Sequence, residues 1–314
     1  MKQENSLSGL VLLIVGSIFL ISAFAIVQTV FGASSTVNVS SSVTVGNAAP
    51  TVSNVVLNGG STIVLTPNAT TAITVSFRIN DPNGCEDVIV NGNTTSTVFR
   101  SGVGSACSAS NLSCYIISTT TSNCSGNAST TDATTTFGIY YFADSTNGAS
   151  SSYDAQDWVA HVAARDATGA TSSATSTHRE LNVLTAIELS TTSISYGSIS
   201  AGSDTGSTNQ SVTSTNAGNS STTLRLHASS TLASGANSIA TSSQRYSTSS
   251  FTYAGTSTAL TDTVTTVSGF LITSPTSTAS SSYSRATLWG LAVPGGTPTG
   301  TYTGSTIFTA LWQQ

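Results

Sequence analysis

The sequence predicts an all-β protein, and three observations carry that prediction. Beyond an apolar N-terminal segment, the chain is a succession of short stretches rich in Val, Ile, Thr, Phe and Tyr, which suit a half-buried pleated surface. Several of these stretches alternate apolar and polar residues, the period of a strand. Turn residues break them at spacings of about 8–12, the rhythm of a sandwich, and no helical period of useful length follows the leader.

The 314 residues suffice for two ordinary domains and a leader. Low charge with abundant Ser, Thr, Asn and Gly suggests disorder at first sight. Disorder, however, pairs low hydrophobicity with high net charge, whereas here the hydrophobic fraction is 38%, the net charge is -5 and Pro number only 6. Lys2 is the only lysine, and the arginines (Arg78, Arg100, Arg165, Arg179, Arg225, Arg245, Arg285) are scattered singly. No basic patch exists to neutralise phosphates, which excludes nucleic acid as a partner.

Residues 1–33 read as a signal or membrane anchor. Gly9 to Val27 carry no charge and as a helix span about 28 Å, close to the hydrocarbon thickness of a bilayer. A retained anchor through residues 9–30 and a cleaved leader both fit. Ala33 is a candidate residue before the cut, although Phe31 then occupies a position that favours a small side chain, and a cut after Ala25 removes too little apolar chain. A pilin-like leader cut after Gly9 is a third option, but Ile14 stands where such leaders carry Glu. In each case Lys2 stays on the cytoplasmic side and the bulk of the chain lies outside.

Residues 34–49 follow as a Ser/Thr-rich stalk or donor strand. The segment 34–46 (SSTVNVSSSVTVG) alternates, lacks charge, and is suited to docking into a neighbouring subunit.

Residues 50–184 are expected to form the first sandwich, with strands at VSNVVL, TAITVSFRIND, DVIVNG, STVFRS, TTFGIYYFAD and DWVAHVAARD. Ile73, Val75, Phe77 and Ile79 share one face, as do Trp158, Ala160, Val162 and Ala164. Asp81-Pro82-Asn83-Gly84 and Asp166-Ala167-Thr168-Gly169 read as turns.

Residues 185–314 are expected to form the second sandwich, with strands at AIELSTTSISYGSI, QSVTSTNAGN, TTLRLHAS, RATLWGLAVP and GTYTGSTIFTALW. Leu224, Leu226 and Ala228 point inward; Tyr302, Gly304, Thr306, Phe308, Ala310 and Trp312 share a face of the last strand.

Cys85, Cys107, Cys114 and Cys124 fall in one exported stretch with few apolar residues, where a cross-link of this loop size is worth roughly 2–4 kcal/mol. Four cysteines allow three pairings, and joining neighbours (Cys85–Cys107, Cys114–Cys124) is the simplest expectation. The spacings lack the C-x2-C element of a zinc site.

Candidate chemistry is thin. His161, His178 and His227 are the only histidines, and no G-x-S-x-G elbow marks a hydrolase. Asp81, Glu86, Asp87 and Asp166 lie in or near turns, where loops at one end of a sandwich can gather hard oxygen donors for Ca2+; solvent-facing turn acids are the plainer account. No other cofactor is expected. Trp158, Tyr140 and Tyr141 are candidates to stack on a sugar ring, weighed against filling the core. Eight N-x-S/T sequons, among them Asn38, Asn68, Asn93, Asn111 and Asn219, mark sites exposed to any glycosylation machinery.

Two local patterns resemble immunoglobulin-like domains. Gly300-Thr301-Tyr302-Thr303-Gly304 is similar to the tyrosine-corner entry of a late strand, and Asn216-Ala217-Gly218-Asn219 is similar to an N-x-G-N turn of bacterial surface sandwiches. The motifs N-A-A-P-T-V (47–52), L-N-G-G (57–60), D-P-N-G-C (81–85), S-I-S-Y-G-S (193–198) and V-P-G-G-T-P-T-G-T-Y-T-G (293–304) extend this. Through them the chain resembles Ser/Thr-rich secreted surface proteins with immunoglobulin-like domains from uncultivated small-genome bacteria. The resemblance implies two such sandwiches in tandem and an extracellular location; it bears on fold and location, not on mechanism.

The expected function is therefore that of a non-enzymatic cell-surface structural or adhesive protein, a surface-layer or filament subunit acting by association with itself, other surface proteins or glycans. A carbohydrate-binding or Ca2+-dependent ligand module is the alternative.

Overall fold

The computed structural model describes residues 38–89, 94–119, 124, 128–148 and 151–313. They are all-β, with several antiparallel sheets and only isolated helical turns. Residues Asn47–Gln314 form one compact unit. The apolar leader lies outside the described residues, among which no helix is long and apolar enough to cross a membrane.

Two sheets close on the first core. One runs in the order β1 (Thr51–Leu57), β2 (Thr70–Asn80), β5 (Thr130–Tyr140). The other runs β4 (Cys114–Thr119), β3 (Thr94–Arg100), β6 (Trp158–Arg165), β7 (Thr171–Thr175). The chain changes sheet after β2, after β4 and after β5. The alternation in β2 does what its period requires: Ile73, Val75, Phe77 and Ile79 are buried while Thr74 and Arg78 face out. Across from β2, β5 pairs residue for residue from Thr70↔Tyr140 to Asn80↔Thr130. Its inward face mixes Thr131 and Thr135 with Ala133, Phe137 and Ile139. The buried Thr135 hydroxyl is not orphaned. It joins Thr119 at 2.7 Å and Ser96 at 3.2 Å, so a hydroxyl cluster ties β3 and β4 to β5 through the core.

The second core lies between a five-stranded sheet and a smaller one. The larger sheet runs β13 (Thr258–Ala259), β12 (Gln244–Ser247), β15 (Ser284–Leu291), β9 (Gln210–Asn216), β8 (Ile187–Leu189). In the smaller, β10 (Thr222–Ser234) is central, with β11 (Asn237–Ile239) and β14 (Thr265–Thr266) along it and β16 (Thr303–Trp312) pairing from Thr222↔Trp312 to Ala233↔Thr303. Trp289 is fully buried, 5.4 Å from Tyr246 and 5.7 Å from Phe308 between ring centroids, and its indole N–H donates to Thr287 at 2.9 Å. No sheet takes strands from both sides of residue 185.

Several expectations need correction. DVIVNG is not a strand where it is described: Glu86–Ile89 make a single helical turn. Here Val88 is buried three residues after Cys85, and its N–H donates to Cys85 O at 3.2 Å instead of joining a ladder. The strands β4 and β7 carry no expected pattern. β4 follows a disulfide loop, and β7 is TSSAT, with Ala174 its only apolar residue, recruited because the Asp166 turn returns the chain alongside β6. AIELSTTSISYGSI is a strand only over Ile187–Leu189. Within 34–46, the described residues 38–46 form no strand.

Candidate functional site

The disulfides are nested rather than sequential, so neither expected pair forms. Cys85 pairs with Cys124 and Cys107 with Cys114. The shortest possible closure, 7 residues, does form, and it leaves Cys85 and Cys124 to pair across 39 residues. Cys85 N–H donates to Ala128 O at 2.9 Å, so the chain entering β5 runs beside the turn leaving β2 and brings Cys124 to Cys85. Cys107 and Cys114 close a short loop whose backbone is already pinned by the Ser110–Cys114 bridge. Among the described residues no cysteine is free.

The turn acids fold as the turn signal requires. Gly84 N–H donates to Asp81 O at 3.0 Å and Gly169 N–H to Asp166 O at 3.1 Å. Each Asp side chain also braces its own turn: Asp81 Oδ1 accepts Asn83 N–H at 2.8 Å, and Asp166 Oδ1 accepts the Thr168 hydroxyl and Ala170 N–H, both at 2.8 Å. The start of the compact unit bridges the two turns. Asn47 Nδ2 donates to Asp166 Oδ2 at 2.9 Å, and Ala48 N–H donates to Asn83 Oδ1 at 2.6 Å. The Asn47 hydrogen bond, followed by those within the turn, pulls the Asp166 carboxyl down to about 2. Asp166 is thus committed to protein donors. Asp81 is fully buried, and its Oδ2 has no partner among the described residues. Glu86 is exposed, and the Asp87 side chain lies outside the described set. No three Asp, Glu, His or Cys side chains among the described residues gather closely enough to hold one metal ion.

The three aromatic candidates do not form a platform. Trp158 is fully buried and donates its indole N–H to Asp144 O at 2.9 Å, so it is a core residue and not a sugar-stacking one. Tyr141 is buried, edge-on to Phe142 at 5.0 Å, while Tyr140 is half-buried and stacks on Phe142 at 5.1 Å.

Beside Trp158 lies a charged cluster that no sequence signal marked. Arg100 Nε donates to Asp144 Oδ2 at 2.9 Å, with both side chains largely buried. Its guanidinium lies over the Tyr153 ring at 3.6 Å and also donates to Gln156 Oε1. Burial raises the Asp144 carboxyl above its ordinary range even though Arg100 opposes this. The arrangement holds Asp144, Tyr153 and Gln156 against Arg100 at the end of β3, a structural role.

The histidines are dispersed. His178 Nδ1 and Asp157 Oδ2 are 2.9 Å apart at the surface. His161 lies half-buried on β6, opposite Thr97 and Thr175, with its basicity lowered by burial. His227 lies on β10, opposite Ile307.

The N-x-G-N turn, read only as a turn, proves to be a clasp. Asn219 Nδ2 donates to Ala143 O at 3.0 Å and Asn182 O at 3.2 Å, while its Oδ1 accepts Leu184 N–H at 2.6 Å. Ala217 O accepts Asn68 N–H at 3.0 Å. Only glycine fits at Gly218, where a Cβ would lie 2.1 Å from Leu184 O. Asn219, although a sequon, is buried and spends its amide on three backbone groups; Asn38 and Asn111 are exposed.

The remaining surface feature is the free edge of β16, which among the described residues pairs only with β10 and carries neither charge nor Pro.

No protein-family model and no curated protein matches the chain.

Proposed function

We propose that this protein works outside the cell as a structural or adhesive surface subunit, exported by its apolar N-terminal segment and acting by association rather than catalysis. The observation that carries the reading is the pair of cystines, which need an oxidising compartment to form and persist. The uncharged edge of β16 and the Ser/Thr-rich, nearly lysine-free surface agree with a protein whose business is pairing with other chains.

The finer fold reading is of two immunoglobulin-like sandwiches in tandem. Three strands against four, with sheet changes after β2, β4 and β5, support it for the first half. In the second half the Tyr302 hydroxyl donates to Pro298 O at 3.0 Å, the bond expected of a tyrosine corner.

The test is immuno-electron microscopy of intact cells with antibody against residues 47–314, together with thiol labelling of freshly isolated protein. Surface label in filaments or a lattice, with all four thiols blocked, is the expected result. Labelling confined to the cytosol, or reactive thiols, would refute the reading.

A bound Ca2+ at the Asp81–Asp166 end is the second reading, favoured by the buried, unpartnered Asp81 Oδ2. Calorimetry with Ca2+ and with chelator tests it: a melting temperature that rises with Ca2+ and loses the rise in Asp81→Asn supports a site, and identical curves reject it.

A further inference from the structure

We propose that residues 38–45 of one copy add as a strand to the free side of β16 of a second copy. This rests on the associative function proposed above and names its two contacting elements.

The acceptor is marked by an incompletely covered core. At the free edge of the first sandwich, β5 keeps its core-facing Ala133, Phe137 and Ile139 buried, so that margin is closed. In the second sandwich, Leu224 and Leu226 on β10 and Trp289 on β15 are equally buried. The core-facing residues of β16 are different. Thr306, Phe308, Ala310 and Trp312 are all only half-buried, although Phe308 packs against the core. Across the core the short β8 leaves Ile187 and Leu189 half-buried as well. Along its outer side β16 makes no backbone ladder among the described residues, so a row of N–H and C=O groups borders a half-open apolar margin. That is the geometry in which an added strand gains main-chain bonds and side-chain burial together.

The donor has the complementary defect. Val39, Val43 and Val45 are 86%, 87% and 78% exposed, the most exposed of the large hydrophobic residues described. Their spacings are even, so in an extended chain all three fall on one face, with Asn38, Ser40, Ser42 and Thr44 on the other. Such a strand covers a core with one face and meets water with the other. Extended, the eight residues from Asn38 to Val45 reach about 26 Å, most of the length of the ten-residue β16. Neither element carries a charge, so pairing desolvates none. The segment is followed by Asn47 and Ala48, which hydrogen-bond to Asp166 and Asn83 in the two turns.

The experiment uses the full chain, purified in mild detergent, in wild-type form and as the Val39→Asp/Val43→Asp double variant. Assembly is followed by light scattering and electron microscopy, and circular dichroism and melting report folding. The expected result is at least a tenfold rise in the concentration needed for assembly, with the spectrum and melting unchanged. As an independent arm, Val43→Cys in chains with one tag is mixed with Ala310→Cys or Thr306→Cys in chains with another tag. An oxidised bond between differently tagged chains is expected. Wild-type assembly matched by the double variant, or cysteine bonds that form only within a chain or not at all, overturns the donor strand and leaves the associative function standing. Wild-type chains that remain single at every concentration overturn both.

Discussion

At Arg100, one side chain satisfies an ion pair, a ring contact and a carboxamide at once, and none of the three partners lies near it in sequence. Removing one member of such a largely buried pair costs more than the pair itself contributes, because the remaining charge stays desolvated. Arg100→Met is therefore expected to destabilise the protein by about 3 kcal/mol at neutral pH. The pH dependence has a definite sign. Burial already raises the Asp144 carboxyl, and the Arg100 guanidinium opposes that rise. Without Arg100 the folded-state value rises further above the unfolded one. Stability of the variant is then retained below the unfolded value, near pH 4, and lost as pH rises through the folded value. Urea unfolding at pH 3.5 and pH 7 checks this: the gap between wild type and variant should narrow at the lower pH. A gap that widens there would show that Asp144 is not the group left exposed to the loss. Nothing in the sequence distinguished Arg100 from the other arginines. Its role follows from the meeting of Asp144, Tyr153 and Gln156 at the end of β3, which residue type does not encode.

At the scale of elements, the period-2 pattern was a good guide wherever a strand had one buried face. β2, β6 and β10 bury the residues their alternation selected, because a one-residue slip would turn each apolar set to water. β7 and the short strands of the second half carry no such pattern. Their neighbours place them, and a Ser/Thr strand at an edge costs little to expose. The cystines belong to this scale too. Cys85–Cys124 spans 39 residues and Cys107–Cys114 only 7. By the chain-entropy relation, the longer closure is worth about 4 kcal/mol and the shorter about 2.5 kcal/mol. Replacing both members of each pair by Ser should therefore cost more for Cys85/Cys124 than for Cys107/Cys114 in thermal unfolding. Equal losses would mean that the turn at Asp81 and the start of β5 are held together by their backbone bonds alone.

For the whole molecule, the clasp at Asn219 joins the two halves beside the Asn68 bonds to Ala217 O and Glu188 Oε2. Asn219 Nδ2 bridges Ala143 O and Asn182 O, and its Oδ1 accepts from the backbone at Leu184, so both halves of the chain meet at a turn that the sequence marked only as Asn-Ala-Gly-Asn. Asn219→Asp keeps the shape but turns the donor into a charged acceptor facing two carbonyl oxygens. The expected loss is on the order of 3 kcal/mol, with a single calorimetric transition splitting into two as the halves unfold separately. One unshifted transition would show that the clasp is not what couples them.

Residue order alone was enough for the all-β class, the inward faces of the long strands and the turns at Asp81 and Asp166, because alternation and turn chemistry act over a few neighbouring residues. Which cysteines meet, that Asp166 is tied to Asn47, and that β16 borders an open margin all depended on which segments come together in the folded chain, from Cys85 and Cys124 at 39 residues apart to Asn47 and Asp166 at 119. Those meetings are set by packing of the assembled sheets, and no local pattern in the chain carries them.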